Sequence, residues 1–214
     1  VGFLDLIYGV FVQPRRLFRS LAEQPRPGAA FLAVIIVAVL NLVTQVYVVL
    51  PGELKNVPQG AEELALVQEF FRLPSMQILM IIAGALFSLV WLVMQAGYFQ
   101  VLAEMLGGIP RSALALFSAL ALAQTVQVVM IPLQALVAIG VLNQLLLGLG
   151  ALIVYIYSSL ILPYWAMREI SELSSGRTLL VVFSPLLIFL AFLILIGAGI
   201  GIAVQHFGDF FNSL

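Results

Sequence analysis

Four guanidinium groups crowd together ahead of the first long uncharged run of the chain. Arg15, Arg16, Arg19 and Arg26 lie in QPRRLFRSLAEQPRP, residues 13–27, and make up four of the nine basic residues. Guanidinium groups do one kind of chemistry well, the charge-assisted recognition of phosphate oxygens. At a bilayer edge those oxygens belong to lipid headgroups, where each basic residue near an anionic surface is worth about 1 kcal/mol. A second polar set sits inside apolar sequence: Asn41, Gln45, Gln95, Gln124 and Gln127. Such amides either hydrogen-bond between helices or, where they converge on a cavity, line a path for a small neutral or polar solute. Sequence leaves both readings open.

Other chemistries have no residues to stand on. The chain has no cysteine and one histidine, His206, so thiolate zinc sites, cysteine nucleophiles, HExxH and histidine cages are absent. There is no GxSxG elbow, P-loop or GxGxxG, and an intramembrane hydrolase lacks any nucleophile paired with a base. The apolar runs carry no ionisable side chain in their interiors, which removes support for proton relays and voltage sensing. No catalytic residue, metal ligand or cofactor is expected. A net charge of −1 without a basic patch interleaved with aromatics gives no nucleic-acid partner.

The elements that must position these residues follow from composition. The chain is 63% hydrophobic and 9% charged, with a mean hydropathy of +1.17. Soluble domains carry about a quarter charged residues, so much of this surface faces lipid. Four uncharged stretches result: Pro27–Gly52, Leu73–Ala103, Ser112–Met167 and Thr178–Gly208. The third has 56 residues, enough for two crossings, and must reverse. Pro132 is able to kink a helix, but GVLNQ at Gly140–Gln144 offers a better turn, giving helices over 112–139 and 144–166. The fold class is therefore all-α, a polytopic membrane bundle of five transmembrane helices. Basic residues fall seven on one side and two on the other, which predicts a cytoplasmic amino terminus and an outside carboxyl terminus.

The flanks have their own pattern. From Pro14, Leu17, Phe18, Leu21 and Ala22 share one helical face, with Arg15, Arg16, Arg19 and Glu23 largely opposite. This is the signature of an amphipathic helix in the membrane interface, ended by Pro25 and Pro27. It serves as an anchor, or as a docking surface for anionic headgroups or a cytosolic protein. Before it, FLDLIYGVF is apolar enough to pack under the bundle or insert shallowly. A second amphipathic piece, AEELALVQEFFR, is expected on the outer face. Ala115, Ala119 and Ala123 repeat at four and predict close helix packing. Gly197 and Gly201 form a GxxxG pair that suits packing or a homo-oligomer face. Glu104 and Arg111 are placed for interfacial pairing. The chain thus divides into a cytoplasmic amphipathic segment over 1–27, a membrane domain over 28–205 and a short outside tail over 206–214.

Three stretches in this order carry a resemblance: QPRRLFRSLAEQPRPG, YFQVLAEMLGGIPRSALALFSALALAQTVQ and LILPYWAMREISELSSGRTLLVVFSPLLI. Their arrangement resembles the Yip family of Ypt/Rab-interacting proteins in its prokaryotic form. The resemblance covers nearly the whole chain. It implies five spans, a cytoplasmic amino terminus, a tight turn at Gly107 and Gly108, and residence in the cytoplasmic membrane of a prokaryote. Eukaryotic relatives are associated with prenylated Rab-type GTPases and with traffic between endoplasmic reticulum and Golgi. Their long cytosolic amino-terminal region and acidic-aromatic GTPase motif are not recognisable in this chain. The resemblance specifies no activity; the leading reading is a non-enzymatic membrane organiser or adaptor, with a transporter or channel for a small neutral or polar solute as the alternative.

Overall fold

In the computed structural model, residues 2–50, 69–71, 73–109 and 112–212 are described, with backbone alone from 201 onward. The described residues are helical, without strands. Helix α1 covers Phe3–Val12 and α2 covers Pro14–Glu23. Helix α3 covers Pro27–Thr44 and runs on as a π-helical segment, Gln45–Val49. Helix α4 covers Pro74–Met105. Helix α5, Ala113–Gln124, passes through a 3₁₀ segment, Thr125–Val129, into α6, Met130–Ala138. Helix α7, Gln144–Ile156, passes through a π segment, Tyr157–Ile161, into α8, Leu162–Ser171. Helix α9 covers Ser175–Asn212.

These pieces make five helices long and apolar enough to cross a membrane: Pro27–Val49, Pro74–Met105, Ala113–Ala138, Gln144–Ser171 and Ser175–Ile200. Local chemistry explains their ends. Proline opens α2, α3 and α4, where its missing N–H costs nothing. The reversal between the third and fourth spans falls at the expected GVLNQ. Gly140 takes a positive φ of 76°, and the Asn143 side chain accepts the Leu146 amide at 2.8 Å to cap α7. Pro132 sits inside α6 without ending the span, one turn after the 3₁₀ segment.

Pro185, inside α9, has a specific compensation. Its ring nitrogen has no hydrogen to offer Val181, so the Ser184 hydroxyl donates to that carbonyl oxygen instead, at 2.6 Å. The Tyr98 hydroxyl of α4 donates in turn to Ser184 Oγ at 2.8 Å, tying the second and fifth spans together at this level.

The main core cluster lies at one end of the bundle, while Thr44 and Val46, at the far end of the first span, are buried outside it. The cluster takes the first part of α3 (Ala30, Ala33, Val34), the last of α4 (Leu92 to Ala103), most of α5 and α8, and Val181 and Val182 of α9. Ala115, Ala119 and Ala123 are fully buried, and α5 packs on α3, α4 and α8 through this small-residue surface. Among the described residues, α6 and α7 bury none, and every residue from Pro185 to Ile200 is exposed.

Some expected features lie out of sight. Residues 61–68 and 72 of AEELALVQEFFR, together with Arg111, lie outside the described residues, as do the side chains of Gly201 and His206. Among the described residues, Glu104 accepts from Gln100 Nε2 at 2.6 Å.

Candidate functional site

Two of the four arginines, Arg15 and Arg19, meet α8 where α2 packs against it. Leu17, Phe18 and Leu21 form the apolar face of α2 and are buried. Opposite them, α8 buries Leu162, Ala166, Met167 and Ile170, and α5 closes the third side. The amphipathic helix therefore spends its apolar face on protein. A free interfacial helix would give that face to lipid; here the bundle end is apolar enough to compete for it.

Polar contacts fix the register of the two helices. The Arg15 guanidinium carbon lies 3.2 Å above the centre of the Trp165 ring. Arg19 Nε and Nη2 both approach Glu169 Oε2 at 3.0 Å. Trp165 stands edge-on to Tyr164, ring centres 5.0 Å apart, and the Arg168 guanidinium carbon lies 6.0 Å from the same indole. Arg168 Nη1 donates to the Tyr164 hydroxyl at 3.3 Å. Exposed contacts of this kind contribute about 1 kcal/mol or less each, so they orient α2 while the buried apolar face holds it. Among the described residues, Arg16 reaches only Gln13 Oε1, at 3.5 Å. Arg26 is half-buried at the entry to α3.

A shallow cleft of about 390 Å³ opens at the α1–α2 elbow, lined by Val12, Gln13, Pro14, Arg15, Arg16 and Trp165. Its apolar floor and basic rim place cationic groups beside an indole, the residue type that marks membrane interfaces. Sequence reasoning singled out the arginines but missed Trp165, Arg168 and Glu169 as their partners. The signal was present in PYWAMRE, where an aromatic pair and two charges follow an apolar run.

The turn expected at Gly107 and Gly108 forms the neighbouring part of this end. Gly107 has a φ of 81°, and a Cβ at Gly108 would sit 2.9 Å from the Ala103 carbonyl oxygen. Ile109 donates its amide to Ser171 O at 3.1 Å, and Arg177 Nη1 donates to Leu106 O at 2.9 Å. The last carbonyls of α4 thus receive a cation, as a helix carboxyl end favours.

The amides are disposed differently. Asn41 Nδ2 donates to Val37 O of its own helix at 3.1 Å, and Gln127 Nε2 donates to Gln124 Oε1 one turn away. Gln45 is exposed in the π segment. Gln95 Oε1 is buried with no partner, as is Gln134 Oε1. Gly197 has nothing within 4 Å of where a Cβ would stand. No group of three or more acidic or histidine residues able to hold a metal occurs among the described residues.

A family model described as the Yip1 domain matches residues 8–196. No curated protein matches the chain, and no solved structure does.

Proposed function

The chain belongs to the Yip family, and on that premise we propose that this integral membrane protein is a non-enzymatic organiser or adaptor in the cytoplasmic membrane of a prokaryote. Its amino terminus lies in the cytoplasm and its carboxyl terminus outside, with the arginines turned to anionic headgroups or to a cytosolic protein. Arg15, Arg16 and Arg19 form the working surface, with Arg26 at the entry to the first span. One observation carries this reading: Arg15 over Trp165 and Arg19 on Glu169 make the basic helix a fixed part of the bundle end, so its charge pattern is presented in one orientation.

The test uses the full chain reconstituted with fluorescent phosphatidylglycerol. Energy transfer to a label on the protein is expected to show this lipid enriched around it, less so in high salt. Changing all three arginines to glutamine is expected to reduce the enrichment; unchanged enrichment counts against the reading. Reporter fusions at the two ends check the orientation.

A second reading, a path for a small neutral or polar solute along Asn41, Gln45, Gln95, Gln124 and Gln127, draws support from the unpartnered Gln95 oxygen. Solute-induced swelling of proteoliposomes above the protein-free rate would favour it. A homo-oligomer through Gly197 and Gly201 is a separate proposal, tested by the mass of the detergent-solubilised particle.

A further inference from the structure

The register of α1 and α2 along the fourth span puts the two helices at different depths. Arg19 is level with Glu169, and Arg15 with Trp165. Further back, the Tyr157 hydroxyl lies 3.5 Å from the Val10 carbonyl oxygen. Tyr157 is eleven residues before Arg168, the nearest basic residue of that span. At 1.5 Å per residue this separation is about 16 Å, close to half a hydrocarbon core of about 30 Å. Helix α1 also packs on α5 and on the Thr125–Val129 segment that follows it, at the middle of the third span. Two spans therefore independently set α1 at acyl-chain level, whereas α2 climbs from the aromatic level to the headgroups.

One face of α1 is covered and the other is not. Leu6 and Val10 are buried, while Leu4, Tyr8, Phe11 and Val12 are exposed along a single stripe. Asp5, the one charged side chain of α1, accepts the Gly2 amide at 2.7 Å within the helix. The stripe runs into the elbow cleft, because Val12 belongs to both. The cleft then ends on Arg15 and Arg16. Apolar surface at acyl depth passing without a break into guanidinium groups at headgroup depth has the polarity profile of one amphiphile.

We propose that the α1–α2 elbow binds a single anionic phospholipid. Its phosphate sits in the cleft against Arg15 and Arg16 beside Trp165, and an acyl chain lies along Leu4, Tyr8 and Phe11. Arg15 keeps its N–H edge for the phosphate while its face stacks on the indole, and among the described residues Arg16 has only a 3.5 Å contact to Gln13 to give up. This deepens the headgroup-facing reading above and rests on it, but it specifies one bound lipid where that reading requires only enrichment in the surrounding bilayer.

The experiment is native mass spectrometry of the purified full chain, offered phosphatidylglycerol and phosphatidylcholine in equal amounts. One phosphatidylglycerol per chain is expected to survive delipidation in preference to phosphatidylcholine. Arg16→Gln, which touches no buried contact, is expected to lower that preference about fivefold. Tyr8→Ser is expected to lower retention of both lipids alike. Glycerol phosphate in millimolar excess is expected not to displace the lipid; full displacement would assign a soluble phosphate instead and overturn the proposal. Equal retention of the two lipids by the wild-type chain, or an unchanged preference in Arg16→Gln, would also overturn it. Because the chain has no cysteine, a spin label at Tyr8→Cys reports depth separately. It is expected to relax with oxygen as a label at Leu152→Cys does, and a water-exposed signal like that of Glu23→Cys would contradict the placement. Enrichment without a retained lipid would sink this proposal and leave the broader reading standing.

Discussion

Phe18 and Phe189 are the same side chain in opposite circumstances. Phe18, in α2, is 0% exposed among α5 and α8, while Phe189, in α9, is 57% exposed. The contrast extends to whole regions. At the arginine end, two short helices, five span ends and the Gly107–Gly108 turn enclose the core. At the other end, the described parts of α4 before Leu92, and all of α6 and α7, bury no residue. The arginine end carries most of the charged residues and the less apolar helices α2 and α8, and there the buried alanines of α3, α4 and α5 let backbones approach. The far halves keep leucine and isoleucine exposed, and even their glycines Gly148, Gly197 and Gly199 have nothing within 4 Å of where a Cβ would stand. In a bilayer that outer surface gains nothing by burial, because lipid tails are as apolar as leucine. Packing at the arginine end therefore carries the stability.

The largest effect that sharpens this contrast is expected from Phe18→Ala. It should destabilise the chain by about 3 kcal/mol, at the low end for an emptied aromatic site because part of the surroundings is lipid. Phe189→Ala should change stability by less than about 0.5 kcal/mol. Unfolding in mixed micelles compares the pair, and equal losses would break the division into two regions. Gly108→Ala ranks next, at about 1–3 kcal/mol, since its Cβ would meet the Ala103 carbonyl oxygen at 2.9 Å and Ser171 O at 3.2 Å, both backbone atoms. Ser184→Ala should cost about 1 kcal/mol, by freeing the Val181 carbonyl beneath Pro185 and releasing Tyr98. Ser184→Thr, which keeps a hydroxyl, should restore most of it. Arg19→Gln comes last, below about 1 kcal/mol. The Arg19 side chain is 72% exposed against 14% for Glu169, and water screens the pair.

The fold was largely legible from residues that end helices. Charge runs bounded four stretches, and Gly140 with Asn143 marked the reversal inside the long one. The alanine row pointed to the close packing that α5 makes. What stayed illegible was nonlocal or too short for a periodicity argument. The π segments at Gln45–Val49 and Tyr157–Ile161 and the 3₁₀ segment at Thr125–Val129 each span five residues and leave the apolar pattern unchanged. For the candidate site, the amphipathic face of α2 was readable, but its partner was not. The same pattern serves a helix on lipid and a helix on protein, and only the approach of Trp165 and Glu169 decides between them. The amides show the converse. Gln124 and Gln127 looked suited to a neighbouring helix at three apart, and that same spacing lets them bond to each other.

The account turns on α2 being a fixed part of the bundle end. Arg19→Cys with Glu169→Cys, treated in native membranes with a short bis-maleimide that spans the room left by the two long native side chains, tests this in a chain free of other thiols. An internal cross-link in most molecules is the expected result, because the native side chains meet tip to tip at 3.0 Å. No cross-link, with both cysteines as reactive to aqueous maleimide as one at Glu23, would mean that α2 is a free arm and would contradict its fixed place at the bundle end.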